Sequence, residues 1–175
     1  MKSFMKITTG IYETHAQADG AIMELKAFGI ANADISYIYI NNKGSIKDAT
    51  TGDKVASSIG NAATAGAIVG AVAGLIVANG ILPGIGSLFA AGPLAVALGL
   101  TGGVGTTVAG AATGLVAGGI VGSFVNLGID NTDAILYETL VRKGDILIII
   151  RSDAVGTKEI FAKTDAKEIR EYEVK

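Results

Sequence analysis

The sequence predicts an α+β domain split in two by an apolar helical insert, and three observations carry that reading. Val55–Ile129 runs 75 residues without Asp, Glu, Lys, Arg or His, and 18 of those residues are glycine. All 14 Lys and Arg and all 16 Asp and Glu therefore fall in 1–54 and 130–175. Within each polar end, apolar residues recur first at a spacing of two and then at helical spacing, as in strands and helices taken in turn.

Met5, Ile7, Thr9 and Ile11 alternate with Lys6, Thr8, Gly10 and Tyr12, which predicts a half-buried strand. Thr14 offers an N-cap to a helix carrying Ala18, Ala21, Ile22, Leu25 and Phe28, and Gly29 supplies its left-handed stop. A second strand fits Asp34–Asn41, where Ile35, Tyr37 and Tyr39 alternate with Ser36, Ile38 and Ile40. After the insert, Thr132 caps a helix with Ile135, Leu136 and Leu140 on one face. Arg142 and Lys143 suit the negative end of its dipole, and Gly144 ends it. Ile146–Ile150 is a continuous apolar run, expected of a central strand covered on both faces. A short helix over 157–163 and a strand over 168–174 complete the chain. Strand-helix-strand twice is a ferredoxin-like split β-α-β sandwich. Its halves are 1–54 and 130–175, around an inserted hairpin over 55–129.

The insert places small residues at every fourth position twice: Ala62, Gly66, Gly70, Gly74, then Gly110, Gly114, Gly118, Gly122. That spacing puts them in one stripe on a helix, where absent side chains let another backbone approach. These two glycine zippers are the expected helix-packing interface. Helices over Val55–Leu82 and Val104–Leu127 would span about 42 and 36 Å, enough for a hydrocarbon core of about 30 Å. Pro83, Gly84, Gly86, Gly92 and Pro93 mark the expected hairpin tip, with Ser87–Leu100 an interfacial or re-entrant piece. Two halves sharing one sheet lie on one side of any membrane, so an even number of crossings follows.

One sequence stretch resembles a known family. Leu82-Pro83-Gly84-Ile85-Gly86, Ala90-Ala91-Gly92-Pro93-Leu94, Leu127-Gly128-Ile129, Tyr137-Glu138 and Arg142-Lys143-Gly144 occur in this order. The arrangement resembles the bacterial and archaeal general-stress, or heat-induced stress, proteins with a glycine-rich insert. Ser87 stands where relatives often carry proline, a departure that affects only the turn. The resemblance implies a stress response and membrane association, and brings no catalytic residues with it.

Chemistry is otherwise sparse. With no cysteine, disulfides and thiolate metal sites are excluded. A net charge of −2 gives nucleic acid no electrostatic footprint. His15, the single histidine, sits in the first turn of a polar helix and reads as solvated rather than as a ligand. Asp48 with Asp53, and Asp130 with Asp133, read as caps and solvated flanks rather than a cation site. Gly102-Gly103-Val104-Gly105-Thr106-Thr107 lacks the lysine of a phosphate loop. Tyr12, Tyr37 and Tyr39 read as sheet packing rather than an RNA-stacking platform. Met1–Thr8 lacks the apolar core of a signal peptide, so synthesis and folding of the N-terminal part in the cytoplasm is expected. The expectation is a non-enzymatic protein without cofactor or metal, a homo-oligomer in contact with membrane lipid, with both polar halves cytoplasmic. The alternatives are a soluble cytoplasmic assembly built from the same helices and, with less support, a small-molecule sensor.

Overall fold

A computed structural model describes residues 5–41, 77–82, 86–98 and 119–174. The elements are β1 (Met5–Tyr12), α1 (His15–Ala27), a 3-10 turn (Asn32–Asp34), β2 (Ile35–Asn41), β3 (Val77–Leu82) and β4 (Gly86–Ala91). They continue with α2 (Pro93–Ala97), α3 (Gly119–Leu127), α4 (Asn131–Lys143), β5 (Ile146–Arg151), α5 (Thr157–Lys163) and β6 (Lys167–Val174). The fold is α+β. β2, β5, β1 and β6 form an antiparallel four-stranded sheet in that order, and β4 and β3 extend it beyond β2.

β5 lies between β2 and β1, which explains its unbroken apolar run. Ile146, Ile148 and Ile150 face one helical layer, while Leu147 and Ile149 face the other. β1 is more deeply covered than the alternating pattern predicts, being buried from Ile7 to Tyr12. Its second face is roofed because Gly10 leaves room for Phe161, whose ring a Cβ there would meet at 3.1 Å.

α1 and α5 cover one face. Thr14 caps α1 through the Gln17 N–H at 3.3 Å, and Gly29 follows at φ +102°. Ala18, Ala21, Ile22 and Leu25 are buried as the spacing predicts, whereas Phe28, at the cap, is half exposed. α2, α3 and α4 cover the opposite face, over Ile7, Ile11, Ile38, Leu147 and Ile149. α4 is rotated relative to expectation: Ala134, Tyr137 and Val141 point inward, and Ile135 is 51% exposed. Its cap is Asp130, which accepts the Thr132 N–H at 2.9 Å, rather than Thr132 itself. The rotation follows from Tyr137, whose hydroxyl reaches polar partners on the sheet.

The largest difference concerns the charge-free stretch. A helix continuing to Leu82 is not observed, since 77–82 is a strand in continuous register with β4. Asn79-Gly80 within it and Pro83-Gly84 beyond it are poor helix residues. Gly86 begins β4, and Ser87–Ala91 pairs with β2 instead of forming an interfacial helix. Leu88 and Ala90 are buried two apart, a strand period hidden inside an apolar run. α3 begins at Gly119 with φ +62°, a value outside the right-handed helical region, so no unbroken helix passes through that residue. Residues 77–82, 86–98 and 119–129 thus pack on the same sheet and core as the polar ends.

Candidate functional site

Of the expected helix-packing residues, Gly122 is described: it lies half-buried on α3. Ala62, Gly66, Gly70, Gly74, Gly110, Gly114 and Gly118 lie outside the described residues, as do Pro83, Gly84, Asp48, Asp53 and Gly102–Thr107. Gly92 and Pro93 have a role in the sheet. Gly92 has φ +72°, and a Cβ there would lie 2.0 Å from the Ile35 carbonyl oxygen. Pro93 then starts α2, whose Leu94 N–H donates to the buried Ser36 hydroxyl at 3.1 Å. Gly92 and Pro93 thus form the corner between β4 and α2, and Gly86 begins β4.

Two polar constellations escape the sequence. The first ties α4 to β1 and β6. Tyr172 donates to Asp133 Oδ2 at 2.8 Å, and Arg170 pairs with Asp133 Oδ1 at 3.0 Å. A phenol has one proton, so the Tyr172 oxygen accepts from Tyr137 at 3.0 Å, and Tyr137 accepts from Thr9 at 2.6 Å. One direction of donation thus runs from a buried strand hydroxyl to a carboxylate beside an exposed guanidinium. Burial raises the Tyr137 and Tyr172 phenols, which keeps both protonated and the chain intact. Asp133 is accordingly a structural acceptor, and no cation is needed to explain it.

The second lies between α1 and β2. The His15 ring meets Tyr39 edge-on, with centroids 4.7 Å apart and planes at 79°. Tyr39 in turn lies 6.2 Å from Tyr37 at 16°. His15 is therefore half-buried against an aromatic ring, where the sequence reads it as solvated. Its Nδ1, and Oδ1 of Asp19 one turn later, are enclosed without a hydrogen-bond partner among the described residues. Burial lowers the imidazole, raises the Asp19 carboxyl and raises both tyrosines, with the Asp19 charge adding to the last effect. The i, i+4 spacing of His15 and Asp19 is the one signal the sequence offers that the two lie on the same face of α1. Tyr12, Tyr37 and Tyr39 share this face and are at most 3% exposed, so they present no open stacking surface.

An open groove of about 450 Å³ runs between α1 and α5, lined by Phe28, Gly156, Glu159 and Ile160 and rimmed by the Glu24–Lys163 ion pair at 3.1 Å. Among the described residues no three His, Cys, Asp or Glu side chains converge as metal ligands, and no helix is long and apolar enough to cross a membrane. Comparison of the chain with protein-family models, with curated proteins and with solved structures yields no match.

Proposed function

We propose that this is a non-enzymatic structural protein that associates with copies of itself and with membrane lipid through its charge-free residues, its charged α+β body remaining on the cytoplasmic side. The carrying observation is the segregation itself: 75 consecutive residues without a charge, with small residues at every fourth position in two stripes, and every charged residue of the chain on either side of them. A glycine within a helix costs about 1 kcal/mol relative to alanine, a penalty that close helix packing offsets. A role in stress rests on the family resemblance alone. The strand order β6-β1-β5-β2, with α1 and α5 on one face, supports a ferredoxin-like reading of the body.

One observation favours the soluble form of this reading. β3, β4 and α2 interrupt the charge-free stretch and lie on the same sheet as β2. The described body is joined across 42–76 and across 99–118, whose charge-free residues are 55–76 and 99–118. A helix crossing a bilayer takes about 20 residues, so going out and back takes about 40. Neither stretch has that length. Assembly between copies, or shallow contact with a membrane surface, asks for no such length.

The test is carbonate washing of membranes beside size measurement without detergent. Retention in the pellet, with a small detergent-dependent oligomer, supports lipid insertion. Full release with a large lipid-free particle selects the soluble assembly, and a monomer under both conditions removes the proposal altogether.

A further inference from the structure

We propose that the outer edge of β3 pairs antiparallel with β3 of a second copy of this chain, joining two sheets across a two-fold axis. The surface is distinct from the glycine stripes and does not depend on them.

Among the described residues the sheet ends in β6 on one side and β3 on the other. An edge strand presents alternate N–H and C=O groups to whatever strand can reach them, and proteins blunt such edges with charge and bulges. β6 carries both devices. Its sequence includes Lys167, Glu168, Arg170, Glu171 and Glu173. Its register with β1 slips between Thr9↔Arg170 and Ile11↔Lys167, where Glu168 adopts φ +50°. Such a bulge adds twist and breaks the run of edge groups.

β3 carries neither device. Val77-Ala78-Asn79-Gly80-Ile81-Leu82 has no charge, and each residue from Val77↔Ala91 to Leu82↔Gly86 pairs with β4 in register. Among the described residues nothing lies on its other side.

Symmetry identifies the partner. Two identical antiparallel strands related by a two-fold axis must place one residue opposite itself. On β6, central pairing sets Arg170 against Arg170 or Glu171 against Glu171, and like charges directly opposite are destabilising. Moving the axis to Ile169 brings the bulged Glu168 into the pairing. On β3, the central choices oppose Asn79 to Asn79, or Gly80 to Gly80, with uncharged neighbours throughout. The β3 edge is self-compatible and the β6 edge is not.

The absence of native cysteine makes this directly testable in the full chain. Residues opposite each other across an antiparallel pair have Cα atoms about 4.5–5.5 Å apart, inside the disulfide range. Under mild oxidation, Asn79→Cys or Gly80→Cys should form a disulfide-linked dimer. Val77→Cys and Leu82→Cys, off the axis, should not, and neither should Arg170→Cys or Glu171→Cys on β6. The same pattern should persist in a Gly70→Leu/Gly114→Leu background, which separates this interface from the glycine stripes. Wild-type protein and that double variant should both sediment as species that Asn79→Lys halves in size. Equal cross-linking at all six positions, cross-linking at neither 79 nor 80, or a double variant already monomeric at high concentration would each overturn the proposal. The last two results would arise if β3 were covered by a segment of its own chain.

Discussion

The two faces of the sheet are buried to similar depth but by different means. Under α1 and α5, elements close in sequence to β1, β2 and β5 pack around Tyr12, Tyr37 and Tyr39, and polar atoms of His15 and Asp19 remain without partners among the described residues. Under α2, α3 and α4 the core is mainly aliphatic, with Phe124 edge-on to Tyr137 at 6.3 Å and 86°. Its Thr9, Tyr137 and Tyr172 hydroxyls are joined into one chain ending at Asp133, while Ser36 and Ser123 bond backbone groups of α2 and α3. The face assembled from distant segments thus pairs its core hydroxyls, and its one enclosed atom without a partner among the described residues is Arg151 Nε at the end of β5. A buried donor or acceptor left unmade costs about 1–3 kcal/mol, so the second face is held by geometry as well as by area.

The sharpest way to break this comparison is Phe124→Ala. Phe124 is fully buried on α3, which comes from the charge-free stretch. If α3 is part of the core, the substitution should lower stability by about 3–5 kcal/mol, within the range for a buried aromatic truncation. Urea unfolding of the whole domain, followed through the five tyrosines, measures it. An unchanged midpoint would mean that α3 folds apart from the sheet.

A smaller pair of changes weighs the two faces against each other. Tyr137→Phe removes the middle hydroxyl of the chain, leaving Thr9 and Tyr172 without their link, and should cost about 1–3 kcal/mol. Tyr12→Phe removes one bond, to Thr164 Oγ1 at 2.8 Å, where burial already holds the phenol at about 12. Thr164 keeps acceptors at the Ile160 and Phe161 carbonyls, so this second loss should stay near 0.5–1.5 kcal/mol. Equal losses would show that the network on the second face has no cooperative advantage.

The same two faces show what was legible in the sequence. β1, α1, β2, β5 and α5 follow from periodicity, from Thr14 and from the stops at Gly29 and Gly144, because each signal is local. α4 is legible as a helix but not in its rotation, which depends on Tyr137 meeting Thr9, 128 positions away. The charge-free stretch misleads for a physical reason. Lipid, a neighbouring helix and the apolar face of a sheet are equally dry, so Leu88, Ala90 and Phe124 carry no mark of which one buries them. Gly92-Pro93 reads as a break, yet only the Ile35 carbonyl explains why that break needs glycine. Among the glycine stripes, Gly122 alone has a described position.

The smallest effect expected is also the most specific to the first face. Burial depresses His15 below its ordinary value of 6.5, so the unfolded chain accepts a proton that the folded chain resists. The contribution of neutral His15 to stability is fully present above that value and is lost as pH falls through the depressed folded one. Asp19 acts in the opposite sense: its carboxyl is raised above 3.8, so its contribution is present below that value and is lost as pH rises through the raised one. His15→Gln keeps a polar side chain without the titration and should flatten the decline in urea midpoint between about pH 7 and pH 5. Asp19→Asn should leave that decline in place and flatten the one starting near pH 4. Each difference from wild type is expected to be smaller than the Tyr137→Phe loss, because both side chains are only half-buried. A His15→Gln profile parallel to wild type from pH 7 to pH 5 would place the imidazole in solvent, and the contrast between the two faces would then reduce to the tyrosines alone.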